Sequence, residues 1–313
     1  MNESTVYLKQ VNLVLDHIHR NLDDSLSLER LSAIAGFSPY HFHRLFKLIV
    51  SETLHQYVNR VRIEKACRLL VSRPNLSLTD IGLDCGFSSI AGFSRTFKLY
   101  HRMSPSEYRS CFHHFQPREV THAEEYYRHR MRERQQASET AINETITWAL
   151  QYVHTARVTH MPPVKAAVVR HRGLSDLGLE QKASDAFDQA YDLAGKYGML
   201  PHNPEVFGVS YDDPYITPPE RCRYDACVTV LPQTESREEL EIKMFPGGKY
   251  AVLDISGTIP LLWLLSGLLT QHWLPQSGYQ LDDRPFIEKH FNNPLHDPNR
   301  HYRGQWCLPL RSK

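Results

Sequence analysis

Apolar residues recur with a helical period through the first third of the chain. Val11, Leu13, Val14, Leu15 and Ile18 predict one amphipathic helix ending before Asn21. A second helix starts at Leu28 behind a Ser27 cap, carries Leu31, Ile34 and Ala35, and breaks at Gly36. The next stretch, Phe37-Ser38-Pro39-Tyr40-His41-Phe42-His43-Arg44-Leu45-Phe46-Lys47, reads as turn, cap, proline at the first helical position, and helix. Two short helices around a glycine turn make a helix-turn-helix.

That unit recurs. Leu28, Leu31, Gly36, Phe37 and Ser38 match Leu78, Ile81, Gly86, Phe87 and Ser88 at an offset of 50. One extra residue later, Phe42-x-Arg44-x-Phe46-Lys47 matches Phe93-x-Arg95-x-Phe97-Lys98. Between the copies, Leu54, Tyr57, Val58, Val61, Ala66, Leu69 and Leu70 form an apolar stripe on a helix from Thr53 to Ser72. Such a rod is roughly 30 Å long. One turn of B-DNA is about 34 Å, so the rod suits two recognition helices in successive major-groove segments.

From residue 113 to 154 the pattern turns polar and alternately charged, with Arg128, Arg130, Arg132 and Arg134 beside Glu124, Glu125 and Glu133. This predicts a helical charged connector with a solvated face. Ile142, Ile146, Trp148, Ala149 and Leu150 give it an apolar side for the second domain or for another subunit.

After residue 155 short strands mix with helices. Strands are expected at 164–170, 206–211 and 224–231, with a helix near 183–197. The order repeats as strand 250–255, helix 260–273, and strands 285–291 and 302–310. Val209-Ser210-Tyr211-Asp212 is echoed by Lys289-His290-Phe291-Asn292. Two strand-helix-strand-strand repeats imply pseudo-twofold symmetry, with helices on one side and a ligand cleft between the halves. The fold class is therefore multidomain: an all-α N-terminal domain (1–112) with two helix-turn-helix motifs, the connector (113–154), and an α+β C-terminal domain (155–313).

Charge sharpens this division. The net formal charge of +1 hides 14 Lys and Arg against 10 Asp and Glu in residues 1–112, 5 against 6 in the connector, and 17 against 19 beyond it. A basic front third permits nucleic-acid binding. Six scattered cysteines without CxxC, no signal-like N-terminus and no apolar run near the ~20 residues of a membrane span point to a cytoplasmic protein with free thiols.

Residues 7–112 resemble the DNA-binding domain of AraC/XylS-type regulators. The likeness is carried by Ile81-Gly82-Leu83-Asp84-Cys85-Gly86-Phe87-Ser88-Ser89, Phe93-Ser94-Arg95-Thr96-Phe97-Lys98 and Ser104-Pro105-Ser106-Glu107-Tyr108-Arg109. The resemblance implies readout by Tyr40, His41, His43 and Arg44 from the first unit and by Ile90, Ala91, Gly92 and Arg95 from the second. Arginine can donate two bonds to guanine or hold a phosphate, whereas Ile90, Ala91 and Gly92 offer methyl contact or shape readout. The first unit is therefore expected to carry most of the discrimination. The phenylalanines are expected to pack, and His41-x-His43 is not read as a metal site, because residues two apart on a helix diverge.

Residues 156–311 resemble the gyrase-inhibitor-like (GyrI-like) effector-binding domain found in Rob-like regulators and multidrug-responsive activators. The matching pieces are Met161 to Gly173, Phe245-Pro246-Gly247-Gly248-Lys249-Tyr250, Trp273-Leu274-Pro275 and Pro285-Phe286-Ile287-Glu288. The resemblance implies a cleft carboxylate at Glu288 that pairs with cationic, aromatic ligands, with Trp263, Trp273, Phe286, Tyr250 and His290 as candidate companions. No cofactor, metal or catalytic residue is expected. The partners expected are double-stranded DNA and a small-molecule effector, with RNA polymerase as a further candidate. Two reading units per chain suit a monomer as well as a dimer. The alternatives are a small-molecule hydrolase using Glu288, for which the sequence places no tyrosine beside it, and a protein-interaction module.

Overall fold

The computed structural model describes residues 3–73, 75–113, 122–133, 137–173, 179–212, 217, 221–293, 297–299 and 301–312. The chain divides into two compact units, Met1–Pro117 and Arg118–Lys313.

The first unit is helical: α1 (Glu3–Arg20), α2 (Leu28–Ala35), α3 (Pro39–Val50), α4 (Leu54–Ser72), α5 (Leu78–Asp84), α6 (Ile90–His101) and α7 (Pro105–His113). Its duplication extends to the chain punctuation. Ser27 and Ser77 cap the first helix of each copy, and Ser38 and Ser89 cap the second. Gly36 and Gly86 take φ of +71° and +85°, a region glycine enters without strain. Phe42, Phe46, Phe93 and Phe97 are fully buried, as their spacing predicts. All seven stripe residues of α4 are buried. Leu13 departs from its expected stripe and is exposed, since the packed face of α1 runs through Val11, Val14, Leu15 and Ile18. Within this core Arg60 donates to Glu52 (2.9 Å) and Glu64 (2.8 Å), and all three side chains are buried.

Most of the expected connector lies within the second unit. Helices α8 (His122–Glu133) and α9 (Glu139–Tyr152) bury Ala123, Tyr127, Ile142, Ile146 and Ala149 with Leu264, Leu265 and Leu268. Arg132, Glu133 and Glu139 lie on the outer side, where Arg132 pairs with Glu139 and Arg130 with Glu133, whereas Glu124, expected on the solvated face, is buried. Arg134 lies outside the described residues. Residues 118–154 thus pack with the second compact unit, because an apolar stripe spaced by three and four residues underlies the charged face.

The second unit carries one antiparallel sheet. Its elements are β1 (Arg157–Met161), β2 (Val164–Arg172), α10 (Leu179–Lys196), β3 (Val206–Ser210), β4 (Arg223–Thr229), β5 (Glu241–Phe245), β6 (Gly248–Gly257), α11 (Ile259–Leu268), β7 (Tyr279–Leu281), β8 (Phe286–His290) and β9 (Tyr302–Ser312). The strand order β1-β6-β9-β8-β3-β4-β2-β5 reads as two repeats placed about a dyad between β3 and β8, while β7 pairs with β9. Strands β1, β5 and β7 lie outside the sequence expectation. They are short and largely exposed or half-buried, so hydrophobic alternation does not announce them.

β1 runs into β2 through Pro162-Pro163, and β5 into β6 through Pro246-Gly247, while β1 pairs with β6 and β2 with β5. These crossed ribbons bend the sheet back on itself, and Gly247 packs against the Met161–Pro163 backbone with no room for a Cβ. The face enclosed in this way holds Phe207, Val209, Cys227, Tyr250, Val252, Ile287 and Cys307. The other face meets the helices: α10 packs on β2 and β4, and α11 on β6. After Leu268 the α11 chain makes a π-helical turn, Leu269–Trp273, just before Pro275, which has no N–H for a helical ladder. Among the described residues five cysteines are free and buried, and no helix is long and apolar enough to cross a membrane.

Candidate nucleic-acid interface and ligand cleft

Helix α3 separates two kinds of side chain. Phe42, Leu45 and Phe46 are buried, whereas Tyr40 (73 % exposed), His41, His43 and Arg44 face outward. Ser38 accepts a hydrogen bond from the His41 amide at 3.4 Å, which fixes the helix start that presents them. The Arg44 guanidinium lies 5.8 Å from the Tyr40 ring centre. The His41 ring sits 5.1 Å from Phe37, so the domain itself holds that imidazole. On α6 Ile90, Ala91 and Arg95 are exposed, and Gly92 is half-buried beneath the Ser89 cap, which accepts from its amide at 3.1 Å. Exposed Lys47 and Lys98 continue the two rows. The sequence echo contains both lysines, and helical spacing from Arg44 and Arg95 is the signal that adds them to the candidate surface.

In the second unit the floor lies where the two repeats meet. Gly208 pairs with Glu288, Ser210 with Phe286 and Val206 with His290 across β3 and β8. Cross-strand partners share a face, so Phe286, Glu288 and His290 stand on the side toward the helices, with Tyr224 beside Ser210 and Trp306 opposite Glu288. Glycine at 208 is required: a Cβ there would collide with the hydroxyl of Tyr224, whose ring crosses above it.

The polar groups form a chain. Ser210 Oγ donates to Glu288 Oε1 at 2.8 Å. The Tyr224 hydroxyl is 3.4 Å from Glu288 Oε2 and 3.2 Å from His290 Nε2. Burial pushes the Glu288 carboxyl up to about 7, against the opposing pull of the Ser210 and Tyr224 hydrogen bonds. Burial pushes His290 down to about 4. Tyr224 is raised well above the usual phenol range by burial and then by the Glu288 charge, and Tyr302 is raised for the same two reasons. No ion pair reaches Glu288 among the described residues; the neighbouring Lys289 turns to Glu205. Aromatic rings surround the chain. Phe187 of α10 lies 4.7 Å from His290, Tyr302 lies 5.1 Å from it, Trp263 of α11 packs by Tyr224, and Phe286 stands 5.9 Å from Trp306. The buried Trp306 Nε1 has no hydrogen-bond partner among the described residues.

Four of the six expected cleft residues therefore share this region: Glu288, His290, Phe286 and Trp263. Tyr250 does not. It lies on the enclosed face of β6, 1 % exposed, beneath the Arg284 guanidinium at 4.6 Å. Trp273, at the end of the π-helical turn, is buried in the apolar core with Leu264 and Leu268. Sequence reasoning missed Tyr224, Ser210 and Phe187, which reach Glu288 only through strand register and helix packing. An open depression of about 460 Å³ on α9, lined by Thr140, Asn143, Glu144, Thr147, Trp148 and Gln151, does not include the Glu288 chain.

Comparison with known proteins agrees with both halves. The GyrI-like small molecule binding domain matches residues 154–311, and a helix-turn-helix domain matches 31–110. An uncharacterized HTH-type transcriptional regulator of Staphylococcus aureus (strain COL) is 37% identical over 108 residues, 34% of this chain and 14% of that protein. The bifunctional transcriptional activator/DNA repair enzyme AdaA of Bacillus subtilis (strain 168) is 33% identical over 108 residues, 34% of this chain and 51% of its own length. The chain thus spans only a part of these curated relatives. Among solved structures, the DNA-binding domain of AdpA in complex with a target DNA aligns with TM-score 0.33 and 25% identity, covering 35% of this chain and 97% of that one. The EcmrR C-terminal domain aligns with TM-score 0.40 and 12% identity, covering 50% and 98%. The chain belongs to the family of the GyrI-like small molecule binding domain, here behind an AraC-type helix-turn-helix domain.

Proposed function

We propose that the protein is a DNA-binding transcriptional regulator that reads two adjacent major-groove segments with α3 and α6 and binds a small cationic, aromatic effector over Glu288. The observation that carries the reading is the division of α3: aromatic residues close the core, while Tyr40, His41, His43 and Arg44 stand outward from a capped helix start. The same frame on α6 supports a second contact of different character, in which Ile90 and Ala91 offer methyl groups and Arg95 is the hydrogen-bond donor. The effector class is supported by a carboxyl ringed by aromatic faces with no basic partner among the described residues, a place where a cation gains both charge pairing and π contact. Gel-shift titration against selected DNA tests the first half: specific, salt-sensitive binding is expected, and binding indifferent to sequence at moderate salt overturns it. A second reading, a small-molecule hydrolase, is favoured by one contact, the Tyr224 hydroxyl 3.4 Å from Glu288. Ester turnover that Glu288→Gln abolishes is its test.

A further inference from the structure

The four polar groups of the cleft form a chain with two self-consistent directions. In one, Glu288 holds a proton and donates it to the Tyr224 oxygen, and the Tyr224 hydroxyl donates to a bare His290 Nε2, so that the imidazole proton sits on Nδ1. In the other, Glu288 is a carboxylate that accepts from Ser210 and Tyr224, and Tyr224 accepts in turn from a protonated Nε2. Every neighbouring hydroxyl and ring nitrogen can serve either state, because hydroxyl and neutral imidazole are each both donor and acceptor.

We propose that a cationic effector reverses this chain, converting the Glu288 acid to the carboxylate, switching His290 from its Nδ1–H to its Nε2–H tautomer, and releasing one proton to water. The inference rests on the cation reading given above. The balance is closed: the Glu288 proton passes to Tyr224, the Tyr224 proton passes to His290 Nε2, and the proton on Nδ1 leaves to solvent. The cation replaces the departed charge.

The geometry supports reversal over simple ionisation because, among the described residues, Tyr224 is the one bridge between the two titratable side chains, and glycine at 208 leaves room for its hydroxyl. The groups facing the chain are Ser210 of β3, Tyr224 of β4, Tyr302 and Trp306 of β9, Phe187 of α10 and Trp263 of α11. Tyr302 is committed elsewhere, donating to the Lys289 carbonyl at 2.9 Å. Burial holds Glu288 near half-protonation at about pH 7 and keeps His290 neutral there, which is the condition both directions need.

The test uses the full chain and tetraphenylphosphonium, a permanent aromatic cation that cannot itself titrate. Long-range nitrogen NMR of isotope-labelled histidine reads the His290 tautomer, and calorimetry in buffers of different ionisation enthalpy counts protons. Wild type is expected to change tautomer on binding, and to release nearly one proton per cation at pH 6, about half a proton at pH 7 and few at pH 8. Tyr224→Phe removes the bridge, so at saturating cation it is expected to lose the tautomer change whatever its affinity. Cation binding with an unchanged wild-type His290 tautomer overturns the reversal while leaving the effector reading intact. Absence of cation binding even at pH 8.5, where the carboxylate dominates, overturns the effector reading and the reversal together.

Discussion

Each unit draws carboxyl groups out of bulk water, Glu52 and Glu64 fully and Glu288 in part, and the contrast between them separates scaffold from site. In the helical unit Glu52 and Glu64 close on Arg60, so burial is matched by opposite charge. Burial on its own lowers the Arg60 pKa, and the pull of Glu64 and Glu52 outweighs it and raises the value. In the sheet unit Glu288 meets hydroxyls, an imidazole and aromatic rings, and its carboxyl responds by holding its proton. A buried acid with its cation built in stabilises one geometry. A half-buried acid without one is poised to receive a cation.

The largest test of this contrast is Arg60→Ala, which strands two buried carboxyl groups. It should cost about 3–5 kcal/mol of stability, read by urea unfolding, and Arg60→Lys should recover only part of the loss. A negligible cost would mean that the network is not scaffold.

The cleft should behave in the opposite manner, with stability that depends on pH. Glu288 titrates higher in the folded chain, so its contribution is full below its ordinary value of 4.5 and is lost as pH rises through about 7. His290 titrates lower, so its contribution is present above 6.5 and is lost as pH falls through about 4. The two slopes oppose each other and should leave wild type nearly flat between them. Glu288→Gln should expose the acid lability of His290, and His290→Asn the loss toward neutral pH caused by Glu288, each by up to about 3 kcal/mol in urea midpoints across pH. Single variants that stay as flat as wild type would dissolve the contrast.

Exposed cations give smaller effects of a third kind. Arg44→Ala should remove about 1–3 kcal/mol of discrimination between the best DNA site and a single-base variant, with the melting temperature unchanged. Arg95→Ala should weaken all sequences alike and reduce the salt slope of binding by about one. Equal losses of discrimination at both arginines would mean that the two units read bases equally.

Legibility followed the range of the interactions. The two helix-turn-helix copies stood out because serine caps, turn glycines and phenylalanines act within a few residues, and the structure keeps Ser38 and Ser89, Gly36 and Gly86, and Phe42 and Phe93 in matching roles. The charged segment before residue 154 was harder, since polar side chains dominate its composition while Ala123, Tyr127, Ile142 and Ile146 decide where it packs. The cleft was legible only in part. Glu288 was expected there from the family resemblance and Phe286, His290, Tyr250 and Trp273 from residue type and family pattern; strand parity keeps Phe286 and His290 beside Glu288. Tyr250 lies on the enclosed face by the parity of β6, and Trp273 lies in the apolar core at the end of the π-helical turn.

The amino-acid sequence by itself determined most of the helices and longer strands and both duplications, because each depends on local periodicity, capping and turn chemistry, while the readout row of α3 and the acid on β8 were implied by the family resemblance. The tertiary structure alone decided that Ser210 and Tyr224 would meet Glu288 and that Gly208 would make room for them. Those contacts join residues 64 to 80 positions apart through antiparallel register, and a shift of one residue in that register would send every one of these side chains to the other face.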